Sequence, residues 1–316
     1  MSRSGPGASG KGMATPPVTA TPEHILHRLE WHVIRRLDGL LQGDYRTLFY
    51  GYGVDLADLR EYQPGDDIRY IDWNVTARMD TPYVRQYTED RELTAWFLLD
   101  LSPSMDFGTL ERQKRAILID FVATVARLLT RHGNRVGAIL YGDRVRQVIP
   151  ARGGRIQVLR LLHELLRQPK LPRAPFTELA QLLNSGLNTI KRRSLLFVVS
   201  DFISAPGWER PLKLLSRRHE VLAIRLWDPR ERELPDVGLV VMEDAETGEQ
   251  LLVDTGDRRF REAYAELAQR REVELAEAFK RAGVDPLSLS TEEDLVRAIV
   301  RFASLRKQRR KLGAAG

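Results

Sequence analysis

Cysteine is absent from all 316 residues. That rules out a disulfide framework and any thiolate metal site, and it suits a reducing compartment. Long hydrophobic runs are missing too: no segment approaches the roughly 20 apolar residues of a membrane span. The opening residues 1–22, MSRSGPGASGKGMATPPVTATP, lack the continuous apolar stretch of a signal peptide. Rich in Gly, Ser, Pro and Ala, they read as a disordered leader. A large excess of one charge is also lacking, because 49 Lys and Arg face 43 Asp and Glu, for a net +6. With both signs interspersed, this describes a mildly basic surface and not a dedicated nucleic-acid binder. No internal repeat is visible. What remains is a chain with 43% hydrophobic and 29% charged residues, expected to be soluble and cytoplasmic with a substantial core. Its length suits one large domain or two small ones.

The first structured stretch, EHILHRLEWHVIRRLDGLL, repeats apolar residues at Ile25, Leu29, Val33 and Leu37. This spacing predicts an amphipathic helix. Residues up to 92 then carry Gly, Pro and Asp without sustained periodicity, which predicts short strands and turns and no second core. From Leu93 the pattern changes to alternating strands and helices. LTAWFLLD is a continuous apolar run, as expected of a central parallel strand covered on both faces. Helices are expected at 111–132, 154–167, 177–190, 208–218 and 257–282, with a last one opened by the capping sequence STEED. RVGAILYGDRVRQVIP predicts a pair of strands turning at Gly142–Asp143, and RSLLFVVSD, EVLAIRLWD and DPLSLS predict further strands. A hairpin turning at Glu246–Gly248 is expected within 237–254. This order implies βαβ units, hence a three-layer, doubly wound, mostly parallel α/β sheet over residues 93–309. A helix and small strand-rich segment at 23–92 precede it, and a basic tail at 310–316 follows.

The stretch TAWFLLDLSPSMDFG carries the chemistry. Asp100 closes an apolar strand, and Ser102 and Ser104 follow at alternate positions. Asp201 closes the apolar strand LLFVVSD in the same way. In open α/β sheets, ligands bind beyond such carboxyl ends. A helix cap would explain one serine, but neither Asp100 nor the alternate spacing. An aspartyl nucleophile of the haloacid-dehalogenase kind needs a second Asp two residues after the first, where Ser102 stands. A hard divalent cation fits better, since Mg2+ takes one or two carboxylates with neutral oxygens. Such a site still needs a third hydroxyl and a second carboxylate.

DLSPS resembles the D-x-S-x-S element of the von Willebrand factor A fold, whose metal-ion-dependent adhesion site also uses a Thr before a later helix and an Asp after a later strand. PFTELAQLL and VVSDF place Thr177 and Asp201 at those points. LREYQPGDDIRYIDWNVTAR is similar to the signature of the domain-of-unknown-function 58 family, which carries a von Willebrand A-like domain. The resemblance runs from about Leu40 through the final helix. It implies Mg2+ or Mn2+ held by Ser102, Ser104 and Thr177, with Asp100 and Asp201 acting partly through water. It also implies recognition of a protein partner that donates an acidic side chain, without catalysis, and a MoxR-type AAA+ ATPase as a partner in assembly or activation. A metal-dependent hydrolase or phosphatase is the alternative, followed by a nucleic-acid binder.

Other candidates have simpler readings. His24 and His27 stand three apart on the first helix, a zinc-compatible spacing without further ligands in view. Asp66, Asp67, Asp72 and Arg69 are expected in a turn and short strand, with Trp73 packed against the main domain. The glycines before Arg155 suggest a plain turn, and the KRRS stretch at 191–194 a solvated surface.

Overall fold

Six segments dominated by aliphatic and β-branched residues pair into one sheet in the computed structural model, which describes residues 21–37, 58–64, 66–68, 71–79, 81–86, 93–108, 112–171, 177–244 and 246–313. The expected leader, apart from its last two residues, and the start of the family resemblance at Leu40 lie outside these residues, as do Arg69 and the end of the basic tail. Two short antiparallel strands come first, β1 (Asp58–Glu61) and β2 (Tyr83–Gln86). The main sheet contains β3 (Thr94–Asp100), β4 (Arg135–Tyr141), β5 (Val145–Arg152), β6 (Leu195–Ser200) and β7 (Glu220–Trp227). A separate hairpin, β8 (Leu239–Glu243) and β9 (Gln250–Asp254), intervenes before the sheet's last strand, β10 (Asp285–Ser290). Strand order in the sheet is β10-β7-β6-β3-β4-β5, parallel throughout except for the β4–β5 pair.

Eight α-helices are described: α1 (Pro22–Leu29), α2 (Trp73–Met79), α3 (Lys114–Arg131), α4 (Gly154–Arg167), α5 (Leu179–Thr189), α6 (Glu209–Arg218), α7 (Arg258–Ala282) and α8 (Leu295–Gly313). Strand alternation decides which helices meet which face. On one face Phe97 stacks on Phe197 at 5.0 Å, and Phe121 of α3 meets Phe197 edge-on at 5.9 Å. That side is packed by α1, α3, α4 and α8. On the other face Leu98, Leu196 and Val198 join residues of α5, α6 and α7. Helices on both faces of a mostly parallel sheet give the three layers expected from the sequence.

The element boundaries follow the sequence closely from Leu93 onward, with three adjustments, the first being that the helix expected from 111 begins at Lys114. The helix after Thr177 begins at Leu179, leaving Thr177 in the preceding loop. The final helix starts one residue beyond STEED, where Asp294 accepts a hydrogen bond from the Arg297 N–H at 2.9 Å. Upstream there is a correction. Trp73 does not pack against the main domain: it is 69% exposed and opens α2, where a short strand was expected. Asp72 explains the helix, because its carboxylate accepts from the Val75 N–H at 3.2 Å and caps the first turn. The first helix contributes Ile25, Leu26 and Leu29 to the same core as the sheet, and a π-helical turn at Glu30–Ile34 continues it. Arg28 pairs with Asp120 of α3 at 2.6 Å, tying it down further. Among the described residues no helix is long and apolar enough to cross a membrane.

Strand order sets the position of the site. The chain runs from β3 outward to β4 and β5, then returns to lay β6 on the other side of β3. The reversal point therefore lies between β3 and β6, the place where open α/β sheets open a crevice for ligands.

Gly137 shows how tightly the edge is built. A Cβ there would sit 2.9 Å from both the Ala151 nitrogen and the Ile149 oxygen, beside the register shift between β4 and β5. Backbone atoms cannot swing away as a side chain can. Gly137→Ala is expected to lower the unfolding free energy by about 1–3 kcal/mol, read from the urea midpoint. An unchanged midpoint would show that the edge strand yields freely.

Candidate metal centre

Asp100 is the last residue of β3, and Asp201 follows the last residue of β6, its immediate neighbour in the sheet. Parallel pairing with β4 continues one residue beyond β3, as the Leu101 N–H reaches the Tyr141 carbonyl at 2.7 Å. The chain then turns through the 3-10 segment Pro103–Asp106, over the fully buried Met105. The turn is tied to Asp100, whose Oδ1 accepts from the Ser102 N–H at 3.0 Å. Its other oxygen, Oδ2, accepts from the Ser200 hydroxyl at 2.6 Å, joining the two strand ends directly. The alternate serines converge as a result, with the Ser102 and Ser104 Oγ atoms 3.1 Å apart.

Thr177 is stitched into the same frame. Its carbonyl accepts from the Ala205 N–H at 2.9 Å and the Ser204 hydroxyl at 2.8 Å, both in the loop that begins with Asp201. Next to it, the Glu178 N–H donates to the Tyr141 hydroxyl at 3.1 Å, at the end of β4. After Asp201, Phe202 takes a left-handed conformation, φ 59°, uncommon for a residue with a bulky side chain. Phe202 is buried against Trp208 and Phe279, which holds the turn in place. The turn lets the Asp201 Oδ1 accept from the Ile203 N–H at 3.0 Å. Asp100, Ser102, Ser104, Thr177 and Asp201 are all buried.

Electrostatics are dominated by acids under apolar cover. Burial, and then the charge of Asp201, pushes the Asp100 carboxyl up to about 6 from its ordinary 3.8, against hydrogen bonds from Ser200 and Ser102 that favour the charged form. Lys114, fully buried at the start of α3, donates to Asp201 Oδ2 at 2.7 Å and also to Glu231. Burial opposes the ammonium charge, but the two carboxylates outweigh it and raise its pKa above the usual lysine value. Glu231 is raised in turn, chiefly by burial, with Lys114 opposing. Its second oxygen accepts from the Asp228 N–H at 3.1 Å in a capping box after β7. Two carboxylates thus share one ammonium, and Asp100 adds a third acid next to Asp201.

The residues fit a hard cation on two counts. Adjacent ligands on an octahedron with bonds of about 2.1 Å lie about 3 Å apart, and the two serine oxygens are 3.1 Å apart. Burial first, and then the repulsion from Asp201, lifts Asp100, and that repulsion is the kind a divalent charge relieves. Both aspartates already accept hydrogen bonds from the protein, so they suit contact through water better than direct capture. No cluster of three or more His, Asp or Glu side chains able to hold a metal occurs among the described residues, so the donor set is hydroxyl-rich. His24 and His27 lie exposed on α1. The turn at Gly153–Gly154 simply opens α4.

A family model described as "Protein of unknown function DUF58" matches residues 58–274. The chain belongs to this family. It is 38% identical over 285 residues to uncharacterized proteins of Mycobacterium bovis and Mycobacterium tuberculosis, covering 90% of this chain and 89% of each relative. Among solved structures it is similar to an aerotolerance-related membrane protein from Bacteroides fragilis, at 14% identity and a TM-score of 0.47, over 68% of this chain and 99% of that one.

Several groups of this DUF58 protein escaped sequence reading. Ser200 sits beside Asp201 at a strand end, and nothing local marks its hydroxyl as a partner of Asp100. Lys114 and Glu231 are 117 positions apart, and nothing local marks either as buried. Glu246, in the hairpin turn, donates no signal of its own but accepts from Thr177.

The raised Asp100 pKa has a definite pH signature. Between pH 4 and 6 the folded protein holds a proton there that the unfolded chain has lost. In EDTA, this group therefore stabilises the fold as pH falls through about 6 toward 4, and its penalty is complete above 6. Asp100→Asn is expected to remove that contribution, so the wild-type minus variant difference in unfolding free energy should rise on acidification. A pH-independent difference would show that Asp100 is an ordinary carboxylate.

Proposed function

We propose that this DUF58 protein is a divalent-cation-dependent protein-recognition module, with a metal-ion-dependent adhesion site in a von Willebrand factor A-like domain. Ser102, Ser104 and Thr177 would hold Mg2+ or Mn2+ through neutral hydroxyls, with Asp100 and Asp201 beside them. The observation that carries this reading is the convergence of the Ser102 and Ser104 hydroxyls, 3.1 Å apart, at the β3–β6 reversal point next to two buried aspartates.

A cation bound mainly by neutral oxygens supplies an electrophilic centre for another molecule's carboxylate. The chain's own residues do the positioning. Asp100 fixes the serine turn through the Ser102 N–H and ties it to β6 through Ser200. Lys114 orients Asp201 and limits the local negative charge. The hydrogen bonds from Ser204 and Ala205 to the Thr177 carbonyl keep the third hydroxyl in register with the Asp201 loop. A rigid, buried hydroxyl frame favours recognition of an acidic side chain on a protein, and no catalytic role is assigned to any residue. The sequence resemblance implies a MoxR-type AAA+ ATPase as one partner.

Mg2+ or Mn2+ at 100 times its dissociation constant is expected to add about 2.7 kcal/mol of stability, seen as a rise in melting temperature. Asp100→Ala combined with Ser102→Ala should abolish the rise while leaving a cooperative melt in EDTA. An undiminished rise in the double variant would place the cation elsewhere.

A further inference from the structure

The hairpin β8–β9 reaches back to the candidate metal centre through one side chain. Glu246, at its tip, accepts from the Thr177 N–H at 3.0 Å with Oε2, and from the Thr177 hydroxyl with Oε1. Both donors of Thr177 are therefore held by one carboxylate from 69 positions along the chain. We propose that Glu246 is the chain's own acidic ligand at the cation site, seated where the proposed function reserves a place for a partner's carboxylate. This rests on that reading of the site and adds a condition: a partner's acid binds only when the hairpin gives way.

The turn is built to present this residue. Asp244 Oδ1 accepts from the N–H groups of Glu246 at 2.9 Å and Thr247 at 2.7 Å, and the Gly248 N–H closes on the Asp244 carbonyl at 2.8 Å. Gly248 supplies the left-handed conformation the turn needs, φ 71°. Glu246 itself is half-buried, while its neighbours Asp244 and Thr247 are exposed. The turn thus sends one carboxylate inward. Chemically the arrangement suits a cation. A threonine hydroxyl that donates its proton to a carboxylate keeps its lone pairs for a metal, and the carboxylate keeps a free lone pair on each oxygen.

The arm that carries Glu246 is lightly held along its length. Leu239, Val241 and Leu252 share one face and are 69%, 62% and 66% exposed. Its base is secured by Thr255, whose hydroxyl donates to the Gly238 carbonyl at 2.7 Å and accepts from the Val237 N–H at 3.1 Å. With little apolar burial between base and tip, the hairpin belongs to the class of elements that open at small free-energy cost. Thr177 is buried in a different way, anchored to the Ser204–Ala205 loop. Displacing Glu246 therefore leaves the hydroxyl frame standing.

Mn2+ tests this directly, because water-proton relaxation reports the water molecules bound to the ion. Full-length wild type, Glu246→Ala and Glu246→Gln are titrated with Mn2+ alone, then with acetate as a free carboxylate probe. The expected result is Mn2+ affinity about tenfold weaker in Glu246→Ala, together with stronger relaxation per bound ion as water enters. Acetate should then reduce the relaxation in both variants and leave the wild type unchanged. Equal relaxation in all three proteins, with acetate acting on all alike, would overturn the proposal while leaving the cation site intact. Absence of saturable Mn2+ binding to every protein, wild type included, would overturn the underlying reading and the proposal with it.

Discussion

Two carboxylates buried side by side at adjoining strand ends repel each other, and much of the surrounding structure answers that repulsion. Asp100 and Asp201 meet because the chain lays β6 against β3 after first building outward to β4 and β5. Burial, and then this repulsion, lifts the Asp100 pKa to about 6. Ser200 and the Ser102 N–H favour its charged form, and Lys114 pairs with Asp201 from the start of α3. Breaking one side of such a buried pair typically costs about 3–5 kcal/mol, so these groups are tightly bound to one another's fate. Lys114 already serves both Asp201 and Glu231, and leaves Asp100 without a cation of its own. The surplus negative charge sits next to a pair of close hydroxyls, and this combination gives a cation its place in the proposed function.

The same frame explains the division of labour around it. Asp100 and Asp201 spend their hydrogen bonds holding loops, and the buried hydroxyls of Ser102 and Ser104 are engaged with each other and that of Thr177 with Glu246. The loops that carry them are fixed from three directions: the 3-10 turn over Met105, the Tyr141 hydroxyl on the Glu178 N–H, and the left-handed Phe202 wedged against Trp208 and Phe279. Glu246 enters from an arm that is exposed along most of its length. In the proposed site, fixed hydroxyls would lie beneath the Glu246 carboxylate, and the arm would set their accessibility.

The parallel sheet was legible from the sequence because each central strand is a continuous apolar run ending in a polar residue, as in TAWFLLD and LLFVVSD. Helices α3 to α7 were legible from their spacing of buried positions. The five proposed ligands also stood in order along the chain, since loops after strands and before helices are where such sheets place ligands. Three things were not legible. Trp73 looked like core, but the Asp72 cap makes its segment a helix that leaves the ring in solvent. Lys114 lies in a run of charged residues, and only the paths of β6 and β7 bring Asp201 and Glu231 to it. Glu246 was recognised as part of a turn, but where a hairpin tip lands is decided by the packing of its base, which local sequence does not encode.

The site itself is tested most directly by anomalous diffraction from crystals of the wild-type protein soaked in Mn2+. A single strong peak within bonding distance of the Ser102 and Ser104 hydroxyls, absent from Asp100→Ala/Ser102→Ala crystals, is the expected result. A map with no peak between β3 and β6, or one whose only peaks lie on surface carboxylates, would contradict it.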